Sequence, residues 1–521
     1  MPIDVLDYLA RHEQKELLRF VVVGSVDDGK STLIGRLLHD VGALADDQLT
    51  SVRHASKMAG AEIDFSLFTD GLIAEREQGI TIDVAYRYFS TPQRKYIIAD
   101  TPGHEQYTRN MATGASTARL AVVLIDARYG LLTQTRRHAF IASLLGISEL
   151  VVAINKMDVV GYDQVTFEHI ARDVETFVKP LAFRAVHTIA LSAMRGDNVA
   201  NRSNAMPWYD GPTLLELLER VPTRDDESSR PLCMPVQLVL RPNLDYRGFA
   251  GQLAAGRVRK NERVSILPSG RASRVMAIET PRGEVNEAIA PESVVLRLAD
   301  EIDVSRGDVI AGGGSTLRVA SSWTARVVWM STQPLETNKS YWLKSGTRSI
   351  RVIVNRVLSM VDLETLVDAP ASVIDLNTIA HVEFRGQRAL VLGTYGEHRT
   401  LGSFILIDPL TNHTVGAGMI DAVTKNDVPH DGVVTESERA DRLGHTGLVV
   451  NATNEAIARQ AERALFDRGI LCAVVDPPAA TACAKAGIVA ITVNPAARNA
   501  FTPEDDLPAS VEAIIARVTR T

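Results

Sequence analysis

Short apolar runs alternate with longer helix-period stretches from residue 20 to about 220, as in Tyr96–Ala99, Leu120–Ile125, Leu150–Ile154 and His187–Leu191. Strands separated by helices predict a doubly wound, mainly parallel sheet. Ahead of it, MPIDVLDYLARHEQKELLRF alternates apolar and charged residues and predicts a short amphipathic helix without an apolar core of signal-peptide length. The polar stretch Thr223–Arg230, flanked by prolines, reads as a linker. The texture then changes: GQLAAGRV, ERVSILPSG and VVLRL, between Leu232 and about Ile310, are short runs punctuated by glycine or proline and predict a small antiparallel barrel. A second all-β stretch, Trp323 to Ile420, offers TARVVWM, SIRVIVNRVL, IAHVEFRG and GSFILIDPLTNHTVGAGMI as strands. After the charged stretch Thr424–Arg442, the segments LVVNAT, NEAIARQAERALFDRG, ILCAVVD, IVAITVN and ASVEAIIARVTR predict a β-α-β-β-α unit. The expected organisation is an α/β domain over residues 1–228, barrels over 229–318 and 319–423, a linker over 424–442 and a small α/β domain over 443–521.

Composition narrows the partners more than the fold. At 521 residues the chain exceeds one core. A net charge of −7, with 23% charged and 45% hydrophobic residues, describes an ordinary globular protein and supplies no global reason for nucleic acid or acidic lipid as main partner. Cys233, Cys472 and Cys483 are odd in number and lack a CxxC pair, which argues against a disulfide framework or zinc cluster and fits a reducing cytoplasm. No stretch reaches the ~18 continuous apolar residues of a bilayer span.

The chemistry begins where the first apolar run ends. FVVVGSVDDGKST contains Gly24-x-x-x-x-Gly29-Lys30-Ser31 between a predicted strand and helix, the pattern of a phosphate-binding loop. Its glycines let backbone N–H groups close around phosphate oxygens, Lys30 brings positive charge to the β- and γ-phosphates, and Ser31 offers a hydroxyl to Mg²⁺. The helix that Thr32 continues turns its N-terminus toward the same anion. Asp27 and Asp28 oppose phosphate binding, and at least one is expected to face solvent or a neighbouring backbone.

Three further motifs follow strand ends. Asp100-Thr-Pro-Gly103-His104 places a carboxylate for the Mg²⁺ shell and a Gly103 N–H for the γ-phosphate. Asn155-Lys156-Met157-Asp158 and Ser192-Ala193 suit base reading: the Asp158 carboxylate can accept both N–H groups of the guanine N1–N2 edge, which adenine lacks. Lys156 would lie over the base plane, and the Ala193 N–H would meet guanine O6. Between the phosphate loop and DTPGH, Glu75–Asp83 sits where a mobile switch is expected, with Thr81 as a second hydroxyl ligand of Mg²⁺.

The set GSVDDGKS, GITI, DTPGHEQY, NKMD and SA resembles the translation-factor GTPase superfamily, and the two β-stretches match its barrels. Within it, AEREQGITIDVAYRYFST, LLRFVVVGSVDDGKSTLIGRLL, KSYWLKSGTR and LTNHTVGAGMI resemble the GTPase large subunits of bacterial sulfate adenylyltransferase over residues 1 to about 423. That resemblance implies GTP and Mg²⁺ as cofactors. It also implies a heterodimer with a small ATP-pyrophosphatase-type subunit that itself makes adenosine 5′-phosphosulfate, and no nucleic-acid or membrane partner. It further implies that His104 orients the attacking water, with Val26 and Ile80 as an apolar gate. The alternative is a translation factor carrying RNA, but the net acidity and the VDDGK and DVAYRYF details favour sulfate activation.

The chain departs from the family in two places. GTYGEHRTLGS keeps Tyr395, Arg399 and Gly402 of a family stretch while losing an Asp and an Asn. The tail resembles the opening of an adenylylsulfate kinase, yet Asn451-Ala-Thr-Asn-Glu-Ala stands where that kinase has its own Gly/Lys phosphate loop. A non-catalytic remnant is expected there.

Overall fold

A computed structural model of the chain describes residues 15–44, 50, 52, 64–68, 84–104, 107–223, 227–243, 245–371, 373–425, 439, 443 and 445–497. They belong to two compact units, residues 1–225 with 362–367, and residues 226–361 with 368–521.

The first unit is built on six strands, β1 (Leu17–Val23), β2 (Ala85–Ser90), β3 (Lys95–Asp100), β4 (Leu120–Asp126), β5 (Glu149–Asn155) and β6 (Ala185–Ala190). Their order is β2-β3-β1-β4-β5-β6, parallel throughout except for β2, which pairs antiparallel with β3 at the edge. Every residue of β4 and β5 is buried, the signature of strands covered on both faces. The covering helices are α1 (Lys30–Asp40), α2 (Thr108–Ala115), α3 (Thr133–Leu144), α4 (Gln164–Val178) and α5 (Leu214–Arg220). Leu33, Ile34 and Leu37 of α1 join Leu18, Phe20, Val22, Leu120 and Val122 in one core. Each such side chain contributes about 1.5–3 kcal/mol by leaving water.

The stretch LLRF, expected to end the amphipathic helix, opens β1 instead. Leu18 and Phe20 are buried while Leu17 and Arg19 are exposed, and this period of two overrides the helical reading. Residues 1–14, which carry the rest of that predicted helix, lie outside the described residues. With β1 between β3 and β4, successive crossovers leave β1 in opposite directions. The crevice beyond the carboxyl ends of these strands is where doubly wound sheets bind ligands.

In the second unit, strands between Cys233 and Ala311 form an antiparallel sheet with a separate pair, Arg257–Arg259 with Glu287–Ile289. Strands from Arg318 to Lys425 form a second antiparallel sheet around Trp323, Trp329, Tyr341 and Phe384. Ser340–Ser345 pairs with both Arg348–Val361 and Ser403–Ile407, which closes this sheet into a barrel. That strand is absent from the sequence-predicted set. Its inward residues are Tyr341, Leu343 and Ser345, too short and polar a run to stand out between loops. Thr424 and Lys425, expected in the linker, extend the last barrel strand.

Three parallel strands follow, Leu448–Ala452, Cys472–Val474 and Val489–Val493, the last in the middle. The expected direct passage from the second to the third is wrong: the helix Pro477–Lys485 lies between them. Adjacent parallel strands need a crossover. PPAATACAK supplies it, with proline where a first-turn N–H has no partner to lose, followed by alanines. The predicted last helix, ASVEAIIARVTR, lies outside the described residues, among which no helix is long and apolar enough to cross a membrane.

Candidate nucleotide-binding site

The phosphate loop leaves β1 at Gly24 and enters α1 at Lys30. Gly29 turns the chain with φ 92°, and Asp27 also adopts a left-handed conformation at φ 65°. Lys30 Nζ donates to Ser25 O at 2.7 Å and Gly24 O at 3.1 Å, folded back into the loop. Burial lowers the Lys30 pKa, while Asp28, Asp100 and Asp27 oppose that shift. The two loop aspartates diverge. Asp28 is buried and its Oδ2 accepts the Ser25 N–H at 2.6 Å, whereas Asp27 faces solvent. Burial pushes the Asp28 carboxyl up to about 6 against the pull of Lys30 and the Ser25 N–H. Val26 is 42% exposed, and Ser31 and Thr32 are half-buried in the first turn of α1.

The DTPGH segment presses on this loop. Asp100 ends β3 in full burial. A Cβ on Gly103 would lie 2.2 Å from Lys30 Nζ and 2.9 Å from Gly24 O, so only glycine fits. His104 is exposed, its ring centroid 6.0 Å from that of Tyr107. Thr81 and Ile80 lie outside the described residues. From the other side α3 reaches the loop: Thr135 Oγ1 is 3.4 Å from Ser25 Oγ. His138, one turn on, is fully buried, and burial with the nearby Lys30 and Arg137 drives its pKa to about 3, leaving it neutral.

Asn155, the last residue of β5, joins the loop after β1 to the loop after β6. Its Nδ2 donates to Asp28 O at 2.7 Å, and its Oδ1 accepts the Ala193 N–H at 2.9 Å. That second bond alters the expectation for Ala193: the N–H assigned to guanine O6 is already taken within the protein. A buried N–H at Ala193 requires some acceptor, and Asn155 is the one in reach. Ser192 Oγ donates to Asp158 Oδ1 at 2.7 Å and accepts the Arg195 N–H at 3.2 Å, fixing the half-buried carboxylate. Lys156 sits at φ 63°, a left-handed conformation that costs a non-glycine residue about 1–2 kcal/mol. Its Nζ pairs with Asp126 Oδ2 at 2.9 Å and donates to Asp27 O.

The cleft therefore gathers Gly24, Val26, Asp27, Asp28, Gly29, Lys30, Ser31, Thr32, Asp100 and Gly103 around the loops after β1 and β3, and Asn155, Lys156, Asp158, Ser192 and Ala193 around the loops after β5 and β6. Asp126 and His138 were not singled out in the sequence. Asp126 follows the run Leu120–Ile125 just as Asp100 follows Tyr96–Ala99, so the strand-end rule that found one applied equally to the other. Nothing in the chain order marks His138, whose place next to Lys30 comes from the docking of α3. Burial opposes ionisation of Asp126, but hydrogen bonds from Arg128 and Lys156 outweigh it and hold the carboxyl at about 2. The arrangement can hold a polyanion against a buried lysine and present an oriented carboxylate to a base edge.

Residues 15–224 match the model of the elongation factor Tu GTP binding domain, and residues 322–421 that of the GTP-eEF1A C-terminal domain-like family. Sulfate adenylyltransferase subunit 1 of Laribacter hongkongensis is 51% identical over 443 residues, covering 84% of this chain and 91% of that protein. The same subunit of Citrobacter koseri is 52% identical over 417 residues, covering 79% and 88%. The bifunctional enzyme CysN/CysC of Rhodopirellula baltica is 48% identical over 499 residues, covering 91% and 77%. An elongation-factor-type GTP-binding domain, a barrel of the matching class and half-identical relatives along most of the length place this chain in the sulfate adenylyltransferase subunit 1 family of GTPases.

Proposed function

We propose that this chain hydrolyses GTP and couples the hydrolysis to formation of adenosine 5′-phosphosulfate and pyrophosphate from ATP and sulfate on a small ATP-pyrophosphatase-type partner, its companion in a cytoplasmic heterodimer. The observation that carries the reading is Asn155, whose two amide ends tie the phosphate loop to the Ser192-Ala193 loop, so that phosphates and base are held by one rigid element. Lys30 and the loop N–H groups take the phosphates, and Asp158 with Ser192 reads the base edge. His104, exposed beside the DTPGH turn, orients the attacking water, and Val26 lines the approach to it. Phosphoryl transfer asks little covalent chemistry of a protein, so positioning and charge do the catalysis.

Mg²⁺ suits the donors present. Ser31 and Asp100 would hold it as hard oxygen donors, few in number, as suits an ion that usually keeps several waters and binds through substrate phosphates. Thr81 would add a third. When bound, the ion neutralises charge developing between the β- and γ-phosphates.

Sulfate activation by the co-purified complex, assayed with and without GTP, tests the coupling. Lys30→Ala should abolish GTP binding and GTP-stimulated adenylylsulfate formation together. Asp158→Asn should move preference from guanine toward xanthine nucleotides, since the amide offers an N–H where the carboxylate only accepts. Full GTP stimulation with Lys30→Ala, or unaltered guanine selectivity with Asp158→Asn, would refute these assignments.

A further inference from the structure

Asp126 lies outside the phosphate loop and the base-contacting motifs, yet its buried carboxylate closes the end of β4 between them. Two cations converge on it. Lys156 Nζ is 2.9 Å from Oδ2, Arg128 Nη2 is 2.6 Å from the same oxygen, and Arg128 Nε is 3.0 Å from Oδ1. Lys156 donates in turn to the Asp27 carbonyl on the phosphate loop. One carboxylate thus holds the ammonium that bridges the base loop and the phosphate loop, on a residue whose backbone is left-handed. A lysine otherwise moves freely on a flexible four-carbon stem and prefers a right-handed or extended backbone.

We infer that Asp126 is a positioning residue for nucleotide retention: it fixes Lys156 against the phosphate loop, so that the base side of the cleft is already in place when nucleotide arrives. The inference rests on the GTP-binding reading above. Because Asp158 and Ser192 face the base edge, Asp126 governs how long the nucleotide stays and leaves the choice of base unaltered. Arg128 helps keep the carboxylate ionised, but 40% of its side chain is exposed and the lysine, not the arginine, touches the phosphate loop.

Asp126→Asn keeps the shape and one acceptor while removing the charge. In the full chain, fluorescent GTP and GDP should dissociate about tenfold faster, the scale of a lost charged hydrogen bond. Guanine selectivity and the single-turnover rate at which bound GTP is hydrolysed should stay at wild-type values. Asp126→Glu, which keeps the charge, should fall between wild type and Asn. In a Lys156→Ala background, Asp126→Asn should add nothing, because the carboxylate acts through that lysine. Wild-type dissociation rates in Asp126→Asn, multiplicative effects of the two substitutions, an Asp126→Glu variant as fast as Asn, or Arg128→Ala reproducing the whole acceleration would each overturn the inference. A wild-type chain that retains no GTP would instead sink the GTP-binding reading.

Discussion

Asp27 and Asp28 are neighbours on the phosphate loop with opposite environments, and the difference has a measurable consequence in pH. Asp28 is buried against the Ser25 N–H with its pKa raised from 3.8 to about 6. Between those values the folded state binds the proton more tightly than the unfolded chain, so stability from this group falls as pH rises through the window and levels off above about 6. Asp28→Asn keeps an acceptor for Ser25 without the buried charge. It should stabilise the protein by roughly 1–3 kcal/mol at pH 7.5, with the advantage shrinking toward pH 4. Thermal melts of both forms across that range check it, and a pH-independent difference would show that the carboxylate does not titrate there.

The elements matter through their ends. β1, β3, β4 and β5 finish in one crevice, and each delivers a functional group at or just past its last apolar residue: Gly24, Asp100, Asp126 and Asn155. Gly24, Asp100 and Asn155 were legible because a glycine or polar residue that closes an apolar run reads as a strand end, whereas Asp126 closes one in the same way and was passed over. Many of their contacts were not, because they join separate segments, 38 positions apart for Asn155 and Ala193 and 127 for Asn155 and Asp28. Gly103 shows the tolerance of such a junction. Gly103→Ala would drive a methyl into Lys30 Nζ and the Gly24 carbonyl, of which the backbone atom cannot move aside. GTP hydrolysis should fall at least about tenfold while the melting temperature shifts by only a few degrees. A fully active alanine variant would show that the two loops separate freely in the working state.

At the scale of the whole molecule the tail is a small parallel α/β unit with its own core of Val450, Ile457, Leu465, Val489 and Ile491. Where a phosphate loop would lead into its first helix, Asn454 Oδ1 accepts the Ile457 N–H at 3.0 Å, and Asn451 Oδ1 accepts the Thr492 hydroxyl at 2.7 Å. With its own side chain capping the helix and no lysine nearby in sequence, this unit should not phosphorylate adenylylsulfate. The purified complex supplied with adenylylsulfate and ATP should yield no phosphorylated product, and robust turnover would contradict the assignment.

The class of domain was determined by the sequence alone: strand periodicity, the phosphate-loop pattern and the NKMD motif suffice for it, because each depends on residues within a few positions of one another. Only the tertiary structure decided that Asp28 turns inward, that Ala193 serves Asn155, that a helix separates the last two tail strands and that Asp126 holds Lys156. These outcomes depend on which distant segments are packed together, and on burial, which makes an unpartnered polar group costly.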